Sequence, residues 1–136
     1  MTNKLSVYPT LRYQDARAAI TMLKDAFGFT EVAVYENEDG TVAHAELAYG
    51  NGMVMLGTAR AEGRFGELAR DLGPVSVYVA VEDADVHHAR AVSYGVKVVM
   101  PLTDQEYGSR DYIVRDAEGN LWTFGTYAPE LPGQNS

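Results

Sequence analysis

His44 and Glu46 are the residues whose types and spacing best suit chemistry. They stand two apart in a run that alternates apolar and polar. On a strand, both side chains leave one face while Ala43, Ala45 and Leu47 pack on the other. An imidazole beside a carboxylate on a cavity wall can act as general base and acid, or offer two donors to a metal ion. Two donors are too few to close a metal site, so the pair is read first as pocket lining and second as a catalytic candidate. His87 and His88 are neighbours inside a helical stretch, where adjacent positions diverge by about 100°. They cannot chelate one ion together and are expected on exposed helix surface. No HExxH, GxSxG or phosphate-loop pattern occurs. Cysteine is absent, which removes thiol nucleophiles, disulfides and cysteine metal sites.

The elements that must position these residues come as a pattern read twice. Leu5 to Tyr13 is extended, and Pro9 suits a strand end. Asp15 is an N-cap, followed by Ala16, Ala19, Ile20, Leu23, Ala26 and Phe27 at helical spacing, with Gly28 as the stop. Three strands follow, Thr30 to Glu36, Val42 to Tyr49 and Met53 to Thr58, joined by turns at Asn37-Glu38-Asp39-Gly40 and Gly50-Asn51-Gly52. Residues 59–73 read as a connector with one helical turn around Glu67 to Leu72. The pattern then restarts with a β-branched strand from Val75 to Val81, a helix from Asp83 to Gly95, and a strand from Lys97 to Leu102. A hairpin from Arg110 to Tyr127 turns at Asp116-Ala117-Glu118-Gly119-Asn120. Asp15 and Asp83 lie about half the chain apart, as do Gly28 and Gly95, which makes this an internal repeat. The fold class is α+β, two tandem β-α-β-β-β modules: module one at about 5–58, a connector at 59–73, module two at about 74–127. The tail from 128 to 136 is expected to fray.

Length suits one domain of 136 residues. The net charge of -8, with no Lys/Arg cluster, repels phosphate backbones and argues against nucleic-acid binding. An acidic pocket would favour a cationic ligand, but plain solubility is the first reading of this charge. Met1-Thr2-Asn3-Lys4 runs straight into strand-like sequence without a leader, and no apolar stretch reaches bilayer-spanning length. The expected location is the cytoplasm, without membrane contact.

The repeat, together with the terminal hairpin Arg115-Asp116-Ala117-Glu118-Gly119-Asn120-Leu121-Trp122-Thr123-Phe124, resembles the vicinal oxygen chelate superfamily, the glyoxalase/bleomycin-resistance/dioxygenase fold. The resemblance extends from Leu5 to Tyr127. The phrases Leu11 to Asp15, Ala26 to Phe29, His44 to Leu47 and Gly108 to Arg110 fit a glyoxalase-like subgroup of unassigned function. It implies curved mixed sheets with helices on the convex side, a concave ligand pocket, and pairing as homodimers. It further implies metal ligands of His, Glu or Gln type on the first and last strands of each module. Carried onto this chain, those positions fall on Tyr8, Met55 (Leu56 if the register slips by one), Ser76 and Thr123. None of the four is a good ligand for zinc, nickel or iron(II), so no metal and no cofactor are expected.

Taking Tyr8, Ser76 and Thr123 as the pocket side adds Thr10, Arg12, Tyr78, Ala80 and Leu121. It leaves Leu11, Val75, Val77, Val79, Trp122 and Phe124 for the core. Arg110 and Tyr112 share a strand face, with Tyr107 just before them. The expected binding set is therefore Tyr8, Arg12, His44, Glu46, Met55, Ser76, Tyr78, Tyr107, Arg110, Tyr112, Leu121 and Thr123. Aromatic faces with a few polar anchors suit a flat amphipathic compound. Two functions compete. One is metal-independent sequestration of a small aromatic compound, of the bleomycin-resistance type. The other is a glyoxalase-like lyase or isomerase working around His44 and Glu46.

Overall fold

The computed structural model describes residues 5–132, so the leader reading at Met1 to Lys4 and the end of the tail lie outside the described residues. Two compact units meet at Val75/Ser76. In the first, strand β1 (Thr10–Tyr13) is followed by helix α1 (Ala16–Asp25), then β2 (Thr30–Glu36), β3 (Val42–Tyr49) and β4 (Gly52–Thr58). These strands form one four-stranded sheet in the order β1-β4-β3-β2. A short helix, α2 (Gly63–Leu68), follows. In the second unit β5 (Ser76–Ala80) precedes α3 (Ala84–Tyr94), β6 (Lys97–Asp104), β7 (Arg110–Arg115) and β8 (Leu121–Gly125). Its sheet has the order β5-β8-β7-β6. In each sheet the first strand joins the last in parallel and the other pairs are antiparallel. The fold is thus α+β, with one module built twice and neither sheet closed.

The local causes are those of the sequence. Asp15 and Asp83 cap their helices by accepting from Ala18 N at 3.0 Å and Val86 N at 3.1 Å. Gly95 ends α3 in the left-handed region at φ 107, where an L side chain is strained. The α1 stripe Ala16, Ala19, Ile20, Leu23, Ala26 and Phe27 is buried throughout, with Leu11, Tyr13, Ala45, Leu47, Val54 and Leu56 buried from the sheet of the same unit. In the second unit Val79, Tyr112, Val114, Trp122 and Phe124 form the core face, and α3 lies over β6, β7 and β8.

Three details depart from expectation. The connector helix runs from Gly63 to Leu68, starting ahead of the expected Glu67, and Arg12 holds it by donating to Arg60 O and Ala69 O while lying over the Phe65 ring. Val75 precedes β5 and is exposed, since strand pairing begins at Ser76. Ala43 is exposed because the register moves between the pairs Tyr35↔His44 and Glu36↔Val42, leaving Ala43 as an extra residue. Val42 takes the core place instead.

The β7–β8 hairpin is held by one carboxylate. Asp116 is buried and accepts from Glu118 N and Asn120 N at 3.0 Å, from Asn120 Nδ2, and from the indole Nε1 of Trp122 at 3.1 Å. We expect Asp116→Ala to lower stability by about 2–4 kcal/mol, because buried donors lose this acceptor. A urea midpoint that falls at unchanged slope would show it. A midpoint within error of the parent would refute the assignment.

Candidate ligand-binding faces

In each unit one sheet face is covered by helix and the other is not. On the uncovered face of the first unit, Thr10, Met55 and Glu46 run side by side across β1, β4 and β3. Glu46 Oε2 accepts from His44 Nε2 at 2.9 Å, both side chains being partly exposed. The His44 ring stacks on Tyr35 at 6.1 Å. Tyr8 is half-buried, and its hydroxyl accepts from Leu5 N at 3.2 Å. Arg12 is committed to the connector carbonyls, a role that sequence spacing could not display.

On the uncovered face of the second unit, β5 supplies Ser76, Tyr78 and Ala80, and β8 supplies Leu121, Thr123 and Gly125. Opposite them on β7 stand Arg115, Ile113 and Asp111. Tyr107 lies in the turn before β7, which Gln105 N closes by donating to Ser109 O at 2.7 Å. Ser76, Tyr78, Leu121, Thr123 and Tyr107 therefore belong to this unit. Tyr8, Arg12, His44, Glu46 and Met55 belong to the other.

Arg110 and Tyr112 must be corrected. Both lie on the helix-covered side of β7. Tyr112 is fully buried, with its hydroxyl 2.6 Å from His87 Nδ1 and its ring 5.4 Å from Phe124. Arg110 donates to Asp85 at 3.0 Å and Asp104 at 3.1 Å. His87, on the sheet-facing side of α3, is correspondingly buried, not exposed, with its ring 4.3 Å from that of Phe124. The residue that alternation missed is Asp111, which is 3% exposed on the uncovered side. Its signal was present: a five-residue turn closing at Arg115↔Leu121 puts the odd-numbered residues of β7 on the face of Leu121 and Thr123.

Several surface charges are paired. The Arg110 hydrogen bond, above all, holds the Asp85 carboxyl below the usual carboxylate range, and Asp85 in turn raises Arg110. Asp39 is lowered chiefly by the hydroxyl and N–H of Thr41. A groove of about 450 Å³ between α1 and β2 is rimmed by the ion pairs Arg17–Glu36 and Lys24–Glu31. Tyr107 is raised, first by burial and then by the charge of Asp111.

Tyr8 and Met55 in one unit, and Ser76 and Thr123 in the other, offer a phenol, a thioether and two hydroxyls. Neither pair, taken within its own unit, fits a zinc, nickel or iron(II) site. Among the described residues no three His, Cys, Asp or Glu side chains group to hold a metal ion. No helix of the described residues is long and apolar enough to cross a membrane.

Two β-α-β-β-β units, each with one sheet face free of helix, define a paired-module α+β protein. The chain belongs to the Glyoxalase/Bleomycin resistance protein/Dioxygenase superfamily, whose family model matches residues 6–124. An uncharacterized protein of Mycobacterium bovis is 33% identical over 127 residues, covering 90% of this chain and 84% of that one. Among solved structures, TioX from Micromonospora sp. ML1 is 30% identical with a TM-score of 0.71, covering 90% of this chain and all of that one. Lactoylglutathione lyase from Agrobacterium tumefaciens, at 19% identity and TM-score 0.63, covers 88% and 92% and shares the fold.

Two outcomes test this assignment of faces. Tyr112→Ala is expected to cost about 3–5 kcal/mol of stability, read by denaturant unfolding, as for a core aromatic. Asp85→Asn tests the charge reading. A carboxyl with a depressed native pKa adds stability above its unfolded value, and loses it as pH falls through the native one. The variant should therefore show a flatter loss of urea midpoint on acidification than the parent, by a small margin because the pair is exposed.

Proposed function

We propose that the protein binds and sequesters a small, flat organic compound without transforming it, as a cytoplasmic homodimer that needs no cofactor. The observation that carries the reading is the residue types on each unit's uncovered face, Tyr8 and Met55 on one and Ser76 and Thr123 on the other, which suit contact with an organic surface better than coordination. Tyr78, Leu121 and Thr123 supply an aromatic ring, an aliphatic group and a hydroxyl on one face, the mixture that small-molecule sites use. The fold itself decides nothing, because sites and not folds carry function.

Native mass spectrometry of the purified protein, with a denatured control, tests it. A metal-free dimer carrying an organic adduct, lost in Tyr78→Ala, is the expected result. One divalent metal per chain would overturn it.

The second reading, a lyase or isomerase of the glyoxalase type, is favoured by the 2.9 Å contact between His44 and Glu46, which can pass a proton. Turnover that His44→Ala lowers by at least about 100-fold would establish it, as expected for loss of a general base. We expect no such turnover.

A further inference from the structure

Within the second unit Asp111 is a carboxylate buried in the sheet. Asp111 is 3% exposed. Its Oδ1 accepts from Gln105 Nε2 at 2.8 Å and its Oδ2 from the Tyr107 hydroxyl at 3.4 Å. Among the described residues no Lys or Arg pairs with it. Neighbouring Arg110 points to the other face and is held by Asp85 and Asp104. A buried carboxylate without a cation is costly, and hydrogen bonds alone offset only part of that cost.

Three tyrosines surround it. A Cβ on Gly125 would stand 2.6 Å from the Tyr78 hydroxyl and 2.8 Å from Asp111 Cβ, so Tyr78 and Asp111 both lean over this glycine. The Tyr78 hydroxyl donates to Tyr127 O at 2.7 Å. The rings of Tyr107 and Tyr127 meet edge to face at 5.9 Å. Tyr127 is positioned by its N–H donating to Ser109 Oγ at 3.2 Å. All three rings keep substantial exposure: 41% for Tyr78, 64% for Tyr107 and 50% for Tyr127.

We propose that Tyr78, Tyr107 and Tyr127, gathered over Asp111, form a seat for a compact organic ammonium group. Ring faces attract a cation through their quadrupoles, and a carboxylate beneath them adds a full opposite charge. The hydroxyls of Tyr78 and Tyr107 already donate within the protein, which disfavours an anion. One carboxylate is too few to hold a metal ion. The net charge of -8 adds attraction at longer range. The raised Tyr107 phenol, shifted first by desolvation and then by the charge and hydrogen bond of Asp111, agrees with this grouping. The inference deepens the sequestration reading and rests on it in one respect: it takes this face as the ligand's, and names the charge that the ligand carries.

Tetramethylammonium, with tert-butanol as its neutral counterpart, probes the seat in amide NMR titrations of the full chain. We expect saturable shifts at Asp111, Gly125 and Tyr127 with tetramethylammonium and none with tert-butanol. Affinity should fall about tenfold in Asp111→Asn and in Tyr107→Ala, and stay unchanged in Arg110→Gln. If Asp111→Asn does not fold, Tyr107→Ala decides, since that ring lies in a turn and outside the core. Equal shifts with the neutral probe, or binding indifferent to both variants, overturn the proposal. So does a tetramethylammonium-blind face filled by a second copy of the chain, seen as a dimer that Asp111→Asn dissociates. An organic adduct that is neutral, in a protein that ignores tetramethylammonium, overturns the ammonium seat and leaves sequestration standing.

Discussion

The carboxylate of Asp116 is the constraint on which the second unit depends. By accepting from the Asn120 side chain, two backbone N–H groups and the Trp122 indole, it closes the turn at Arg115↔Leu121. That closure sets the parity of both strands. Strand side chains alternate with period two, so a slip of one residue would exchange the two faces. Trp122, Phe124, Tyr112 and Val114 would then face solvent, while Asp111 and Thr123 would lie under α3. Core face and uncovered face are thus two results of one hydrogen-bonded turn.

Much of this was legible from residue order. The N-caps at Asp15 and Asp83, the stripe of α1 and the alternation of β8 all follow from local chemistry, and each appears where the sequence puts it. What failed was placement that depends on pairing. Arg110 and Tyr112 look like pocket residues when β7 is read alone, and only the hairpin closure shows that they face the helix. His87 is polar on a weakly apolar helix, and nothing local shows that Tyr112 waits beneath it. Ala43 is displaced by a bulge that depends on β2 as much as on β3. Alternation predicts faces well within a strand and poorly across a register shift.

The repeat has diverged in chemistry while keeping its frame. Ala19, four residues after its cap, is a small core residue in α1, and His87, at the same distance after Asp83, reaches a tyrosine hydroxyl. The uncovered face of the first unit is occupied with its own contacts: His44 with Glu46, and Arg12 with the connector. That of the second brings the Tyr107 hydroxyl onto the Asp111 carboxylate and the Tyr78 hydroxyl onto the Tyr127 carbonyl. Duplication supplies two faces of one geometry, and the substitutions on them differ in what they leave available to another molecule.

The chain has one tryptophan, and Trp122 is fully buried on the helix side of β8, stacked at 6.4 Å on Phe124. Thr123 and Gly125, its neighbours in the strand, face the other way. An indole sealed from water emits towards the blue, and its colour changes when water reaches it. The emission maximum therefore follows the opening of this unit. Nature has thereby left the protein with a built-in optical gauge of the integrity of this unit.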